Sequence, residues 1–149
     1  MSVALTGNDT IVLNGLVLTD FADGDVAELK FNNDLVEVVN GKNDNAIFAL
    51  NSKGKQGEMT LKLLRGSSDD LLMNAQLNLM QLDFPSYVLL NGSFTKRIGN
   101  GFGLSMTDLY LAKGGVISRI PDVVSSSDGK TEQAISQYVI KFAKVIRVV

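Results

Sequence analysis

The chain has 149 residues, enough for one packed core and too few for two, and its 45% hydrophobic and 20% charged content is that of an ordinary globular domain. With 14 Lys+Arg against 16 Asp+Glu the formal net charge is −2, which argues against a dedicated nucleic-acid binder, because such proteins carry a basic face to displace counterions from phosphates. Cys, His and Trp are absent, which excludes disulfides, sulfur- or imidazole-ligated metals, and the Ser-His-Asp and Cys-His mechanisms within this chain.

The first seven residues carry no basic stretch and no long apolar run, and apolar runs elsewhere are short, so neither a signal peptide nor a membrane span is expected. Thr10 to Leu18 reads as one strand that ends in the turn Asp20 to Asp25. Val26 to Phe31 and Leu35 to Val39 follow as short strands, then Asn40-Gly41, a favoured hairpin dipeptide, then the strand Ala46 to Leu50 and the Gly/Lys loop Lys53 to Gly57. In Glu58 to Leu63 the alternation is cleanest: Met59, Leu61 and Leu63 share a face, with Glu58, Thr60 and Lys62 on the other.

Ser67 with Asp70 three residues on resembles a weak capping box, and Asp69 and Asp70 stand in the first turn, where the helix dipole favours negative charge. With Leu72, Ala75, Leu79 and Leu82 recurring at helical spacing, this predicts one helix over about 68–82, stopped by Pro85. Strands resume at Tyr87 to Leu90, Ser93 to Ile98, Leu104 to Leu111 and Gly115 to Ile120, and Pro121 to Lys130 reads as an exposed loop. The run Gln133 to Val149 is predicted as a long strand, with Tyr138, Ile140, Phe142, Ile146 and Val148 on one phase and a bend near Lys144. The whole is mostly antiparallel β with one inserted helix, and no repeat of 20 to 50 residues is visible.

Chemical motifs are scarce. Gly99-Asn-Gly-Phe-Gly103 lacks the third-glycine spacing and the following helix of a dinucleotide loop, so it reads as a β-connection. Asp20, Asp23, Asp25 and Glu28 could hold a hard cation, but the spacing is not that of an EF-hand and Asp-Gly is ordinary turn chemistry, which favours a solvated turn. Paired carboxylates of a hydrolase remain open, although nothing pairs them with an aromatic platform. Asp69 and Asp70 read as exposed helix-terminal charges and as a docking point for a basic partner.

The block from Asn40 through Leu77, a polar Gly/Lys loop leading into an alternating strand, a Ser-rich cap and a short helix, resembles tail tube proteins of contractile-tailed bacteriophages. The Asp23-Gly24-Asp25 segment and the long C-terminal strand fit the same plan, so the resemblance covers most of the chain. It implies a mainly β, tail-tube-type sandwich or half-barrel with one flanking helix and extended loops, related in architecture to pyocin and type VI secretion tubes. It implies a structural, non-enzymatic virion protein that needs no cofactor or metal. Six subunits would close a ring, and rings would stack into a tube whose lumen passes DNA without specific binding. Implied partners are further copies of the chain, the tail sheath, and the baseplate and tail terminator proteins, with assembly in the host bacterial cytoplasm. On this plan Lys42, Asp44, Lys53, Lys55, Asp122 and Asp128 contact neighbouring subunits or rings, and Asp69 and Asp70 face the sheath. Other tail components, namely a non-contractile tube, a tail-completion or a baseplate protein, are the alternative, followed by a carboxylate-dependent β-sandwich enzyme.

Overall fold

The structure is a computed structural model that describes residues 3–5, 9–24 and 26–148. Along the chain run β1 (Ala4–Leu5), β2 (Thr10–Leu13), β3 (Leu16–Leu18), β4 (Ala27–Phe31), β5 (Val36–Asn40), β6 (Ala46–Leu50), β7 (Gly57–Leu64), α1 (Ser68–Leu82), β8 (Leu90–Gly99), β9 (Ser105–Arg119) and β10 (Ile135–Arg147). The architecture is mainly β with one helix. Antiparallel pairing links the strands in the order β3-β2-β8-β9-β10-β7-β4, β1 adds to β8, and β5 with β6 forms a separate two-stranded sheet.

The inner face of the large sheet follows from period-two patterning. Met59, Leu61 and Leu63 are fully buried, as their alternation predicts, and the register sets Tyr138 opposite Leu61 and Ile140 opposite Met59. The phenyl ring of Phe142 fills the space over glycine: a Cβ on Gly115 would lie 2.5 Å from Phe142 Cε1. Between β3 and β4 the chain crosses from one edge of the sheet to the other. There Leu64 N donates to Asp20 O at 2.9 Å, Ala22 N to Lys62 O at 3.0 Å and Lys62 N to Val26 O at 3.0 Å, so the segment leaving β3 runs along β7 in line with β4, and the sheet curls into a half-barrel. The helix lays Met73 and Leu77 onto the core.

Several local expectations are corrected. Thr10 to Leu18 is a hairpin, because Asn14 (φ 50°) and Gly15 (φ 80°) both adopt left-handed geometry and form the tight turn that suits the twist of paired strands. The last four expected strands before residue 121 are two. Tyr87 to Leu89 lies outside any strand, behind the short turn Phe84–Ser86, and β9 runs unbroken through Gly114, whose φ of 68° absorbs the irregularity. In β10 the buried phase moves from Tyr138, Ile140 and Phe142 to Val145, with Ala143 and Lys144 both exposed and Ile146 and Val148 facing out. The helix occupies the predicted residues but turns the other way: Leu72, Ala75, Leu79 and Leu82 are on its exposed side.

The end of β10 is latched to β9 by a half-buried charge cluster. Arg147 Nε lies 2.7 Å from Asp108 Oδ1, and the Tyr110 hydroxyl donates to Asp108 Oδ2 at 3.2 Å. Burial and the adjacent carboxylate push the Tyr110 hydroxyl above its ordinary range.

Candidate assembly surfaces

At the start of the helix, the structure corrects the expected exposure of both acidic residues. Asp69 and Asp70 are 7% and 8% exposed. Asp69 Oδ2 accepts from Thr19 N at 2.7 Å and Asp20 N at 2.9 Å, which pins the crossing segment to the helix. Asp70 Oδ2 accepts from Gly66 N at 2.8 Å, and its Oδ1 from the hydroxyl of Tyr138 at 2.7 Å. Two carboxylates engaged in this way are joints within the chain's own fold rather than exposed charges. Burial, followed by the hydrogen bond to Asp70, drives the Tyr138 hydroxyl well above its usual value.

The hairpin β5–β6 is the opposite case. All ten of its strand residues are exposed. The register places Val36 with Leu50 and Val38 with Phe48 on one face, and Val39 with Ile47 on the other, so both faces are apolar. Phe48 is 71% exposed, Ile47 70% and Leu50 77%. An isolated two-stranded hairpin is at best marginal in water, so the bonds at its root are what fix this arm to the rest of the chain. Asn51 N donates to Leu35 O at 2.7 Å, Asn51 Nδ2 to Asp34 O at 3.0 Å, and Asn33 Nδ2 to Lys53 O at 3.2 Å. Gly54 packs so closely there that a Cβ would come within 2.6 Å of Leu35 Cα.

The residues expected to contact neighbours fall into three places. Lys42 and Asp44 are exposed in the tip of the arm, where Asp44, with φ 60°, makes the left-handed turn position that Asn40-Gly41 was expected to supply. Lys53 and Lys55 sit in the short turn Ser52–Lys55 at the root, roughly 17 Å from the tip if each strand residue rises its usual distance. Asp122 and Asp128 are exposed in the connection between β9 and β10, at the end of the sheet away from the arm. Arg119 pairs with Asp122 at 3.8 Å, and Arg65 donates to the carbonyls of Asp122, Gln133 and Ile135, which holds the base of that loop.

The apolar arm itself was the missed feature. Its signal was available: in Val36-Glu37-Val38-Val39 and Ile47-Phe48 the apolar residues occupy both strand phases, whereas a strand with one wet face leaves one phase polar. Asp20 of the acidic turn accepts from Asp69 N, Asp25 lies outside the described residues, and among the described residues no group of three or more Asp or Glu is gathered to hold a cation. No helix among the described residues is long and apolar enough to cross a membrane. No protein-family model matches the chain, and no curated protein matches it.

Proposed function

We propose that this protein is a structural subunit that self-associates through its arm into stacked rings, six subunits to a ring, forming a tail tube of a contractile phage or phage-like machine. The arm is the observation that carries the reading. A two-stranded element with both faces apolar and all ten residues exposed gains nothing in a monomer, and burying it against another protein surface is strongly favourable. The total surface supports the same conclusion. A compact monomer of 16.0 kDa exposes about 7,400 Å², whereas this chain exposes 10101 Å². The excess of roughly 2,700 Å² is the size that obligate interfaces remove from water.

The half-barrel suits a ring because its edge strands β3 and β4 present backbone groups that a neighbour can pair. The assignment to a phage tail rests on the resemblance of the loop, strand, cap and helix order over Asn40 to Leu77. On this reading the tube surrounds DNA without gripping it, in keeping with the formal charge of −2. Negative-stain microscopy with sedimentation velocity of the purified protein at rising concentration tests it. Rings or tubes with a repeating axial period are expected, and a protein that stays monomeric at high concentration rules the reading out.

A further inference from the structure

We propose that one face of the arm, carrying Val36, Val38, Phe48 and Leu50, packs onto the outward leucine side of α1 in a second copy of this chain. The inference rests on the self-association reading and names the surface that receives the arm. From Leu71 to Leu82 the helix has no charged residue, and Leu71, Leu72, Leu79 and Leu82 are exposed on the side turned away from Met73 and Leu77. A helix that packs one apolar stripe on its own core ordinarily gives charged residues to its other side, and a second apolar stripe in that place marks an interaction surface. At the C-terminal end of the stripe, a cleft of about 350 Å³ opens between Leu79, Leu82, Tyr87 and exposed Val88. Gln76 in that cleft already accepts from the Tyr87 hydroxyl at 3.0 Å, so an apolar occupant leaves that pair satisfied.

The arm matches this stripe in chemistry and in length. Its register sets Val36 beside Leu50 and Val38 beside Phe48 on one face, while Glu37 stands on the other face with Val39 and Ile47. Docked by the first face, the arm brings no charge into the contact, and the stripe brings none from its side, which avoids the cost of burying an unpaired charge. The five residues of each arm strand extend about 17 Å, and the helix rises about 17 Å between Leu71 and Leu82. The arm joins β7 at Gly57 and the helix follows Leu64, about 25 Å further along that strand, and both surfaces are exposed in the single chain, so the helix that receives an arm belongs to another copy. Area points to the same occupant. The roughly 2,700 Å² by which the chain's surface exceeds that of a compact monomer is enough for a subunit to give its arm to one neighbour and its helix to another, since a stable interface removes about 1,200–2,000 Å² from its two partners together. A contact that joins unlike surfaces in this way leaves one arm and one helix free at the ends, which is the geometry that propagates into rings or filaments.

Because the chain has no Cys, introduced thiols report this contact without background. Phe48→Cys and Leu79→Cys, made in separate full-length chains of which one carries a size tag, are mixed while dilute, then concentrated and oxidised. A disulfide joining the two variants is expected as the main product, with little product from either alone and little when Val39→Cys, on the opposite face of the arm, replaces Phe48→Cys. Phe48→Asp, and separately Leu79→Glu with Leu82→Glu, are each expected to weaken self-association by roughly tenfold or more in sedimentation, because each sets a charge in an apolar contact. Circular dichroism checks that these charged variants are folded, and where one is not, the crosslink decides. A main product that joins Phe48→Cys to itself overturns the helix as the seat of the arm. Association that is lost with Phe48→Asp and unchanged with the paired helix substitutions does the same and leaves the tube reading intact. Mixed disulfides in an assembly that stops at two copies, each arm on the other's helix, support the contact and overturn the rings. A wild-type protein that does not associate overturns both.

Discussion

Asp69 holds the backbone N–H groups of Thr19 and Asp20 in the crossing segment, and those groups are expensive to leave without a partner. Asp69→Ala is expected to destabilise the fold by about 2–4 kcal/mol, lowering the thermal midpoint by roughly 5–15 °C, read by calorimetry. A midpoint within about 2 °C of wild type would return Asp69 to the role of a surface charge. Tyr138 gives the same joint a pH signature. Its hydroxyl is raised above the ordinary value of 10.0, chiefly by burial and then by its bond to Asp70. The sign follows directly. Below about pH 10 the hydroxyl is protonated in both folded and unfolded chains, and its stabilisation is fully present; above pH 10 the unfolded chain ionises first, and stability falls as pH rises toward the folded value. Tyr138→Phe is therefore expected to be less stable than wild type at pH 8 and to lose that deficit progressively between about pH 10 and 12, as measured by urea unfolding at each pH. A deficit that stays constant across that range would show that the Tyr138 hydroxyl is not raised in the folded chain relative to the unfolded one.

At the scale of elements, the helix covers the core with Met73 and Leu77, whereas the arm is the element to which the proposal assigns assembly. Every strand residue of the arm is exposed, so replacing 36–50 with a short turn removes no core contact and is expected to shift the thermal midpoint by no more than about 3 °C while abolishing self-association in sedimentation. A large loss of stability would mean that the arm packs on its own subunit in solution. The strands of this fold were legible where one face is wet: Met59, Leu61 and Leu63 are buried as their alternation requires. The helix boundaries were legible from Ser67 and the two aspartates, because capping is local chemistry. Its facing was not. Asp69 and Asp70 each turn inward to partners 50 and 68 residues away, and this rotates Met73 and Leu77 onto the core and the leucine stripe outward. The candidate surfaces were legible in part for a similar reason. Loop charges such as Lys55 and Asp128 announce exposure, while whether Asp70 meets water or Tyr138 is settled by long-range topology.

For the whole molecule, the exposed leucine side of the helix, the arm and the edge strands β3 and β4 are the surfaces that copies of the chain would cover on the proposed self-association. Association that buries such surface is linked to folding by mass action, since partners bind the folded chain and not the unfolded one. Each tenfold rise in protein concentration then adds about 1.4 kcal/mol per interface formed, or roughly 3–5 °C in thermal midpoint for a chain of this size. Scanning calorimetry over two decades of concentration is expected to show this rise in the wild-type protein, and a flat line in the variant lacking 36–50. The paired result matters because aggregation after unfolding also moves apparent midpoints, but in the opposite direction and without regard to the arm. A wild-type midpoint independent of concentration would show that the excess surface is carried stably by a monomer, and the arm would then need an occupant other than this chain.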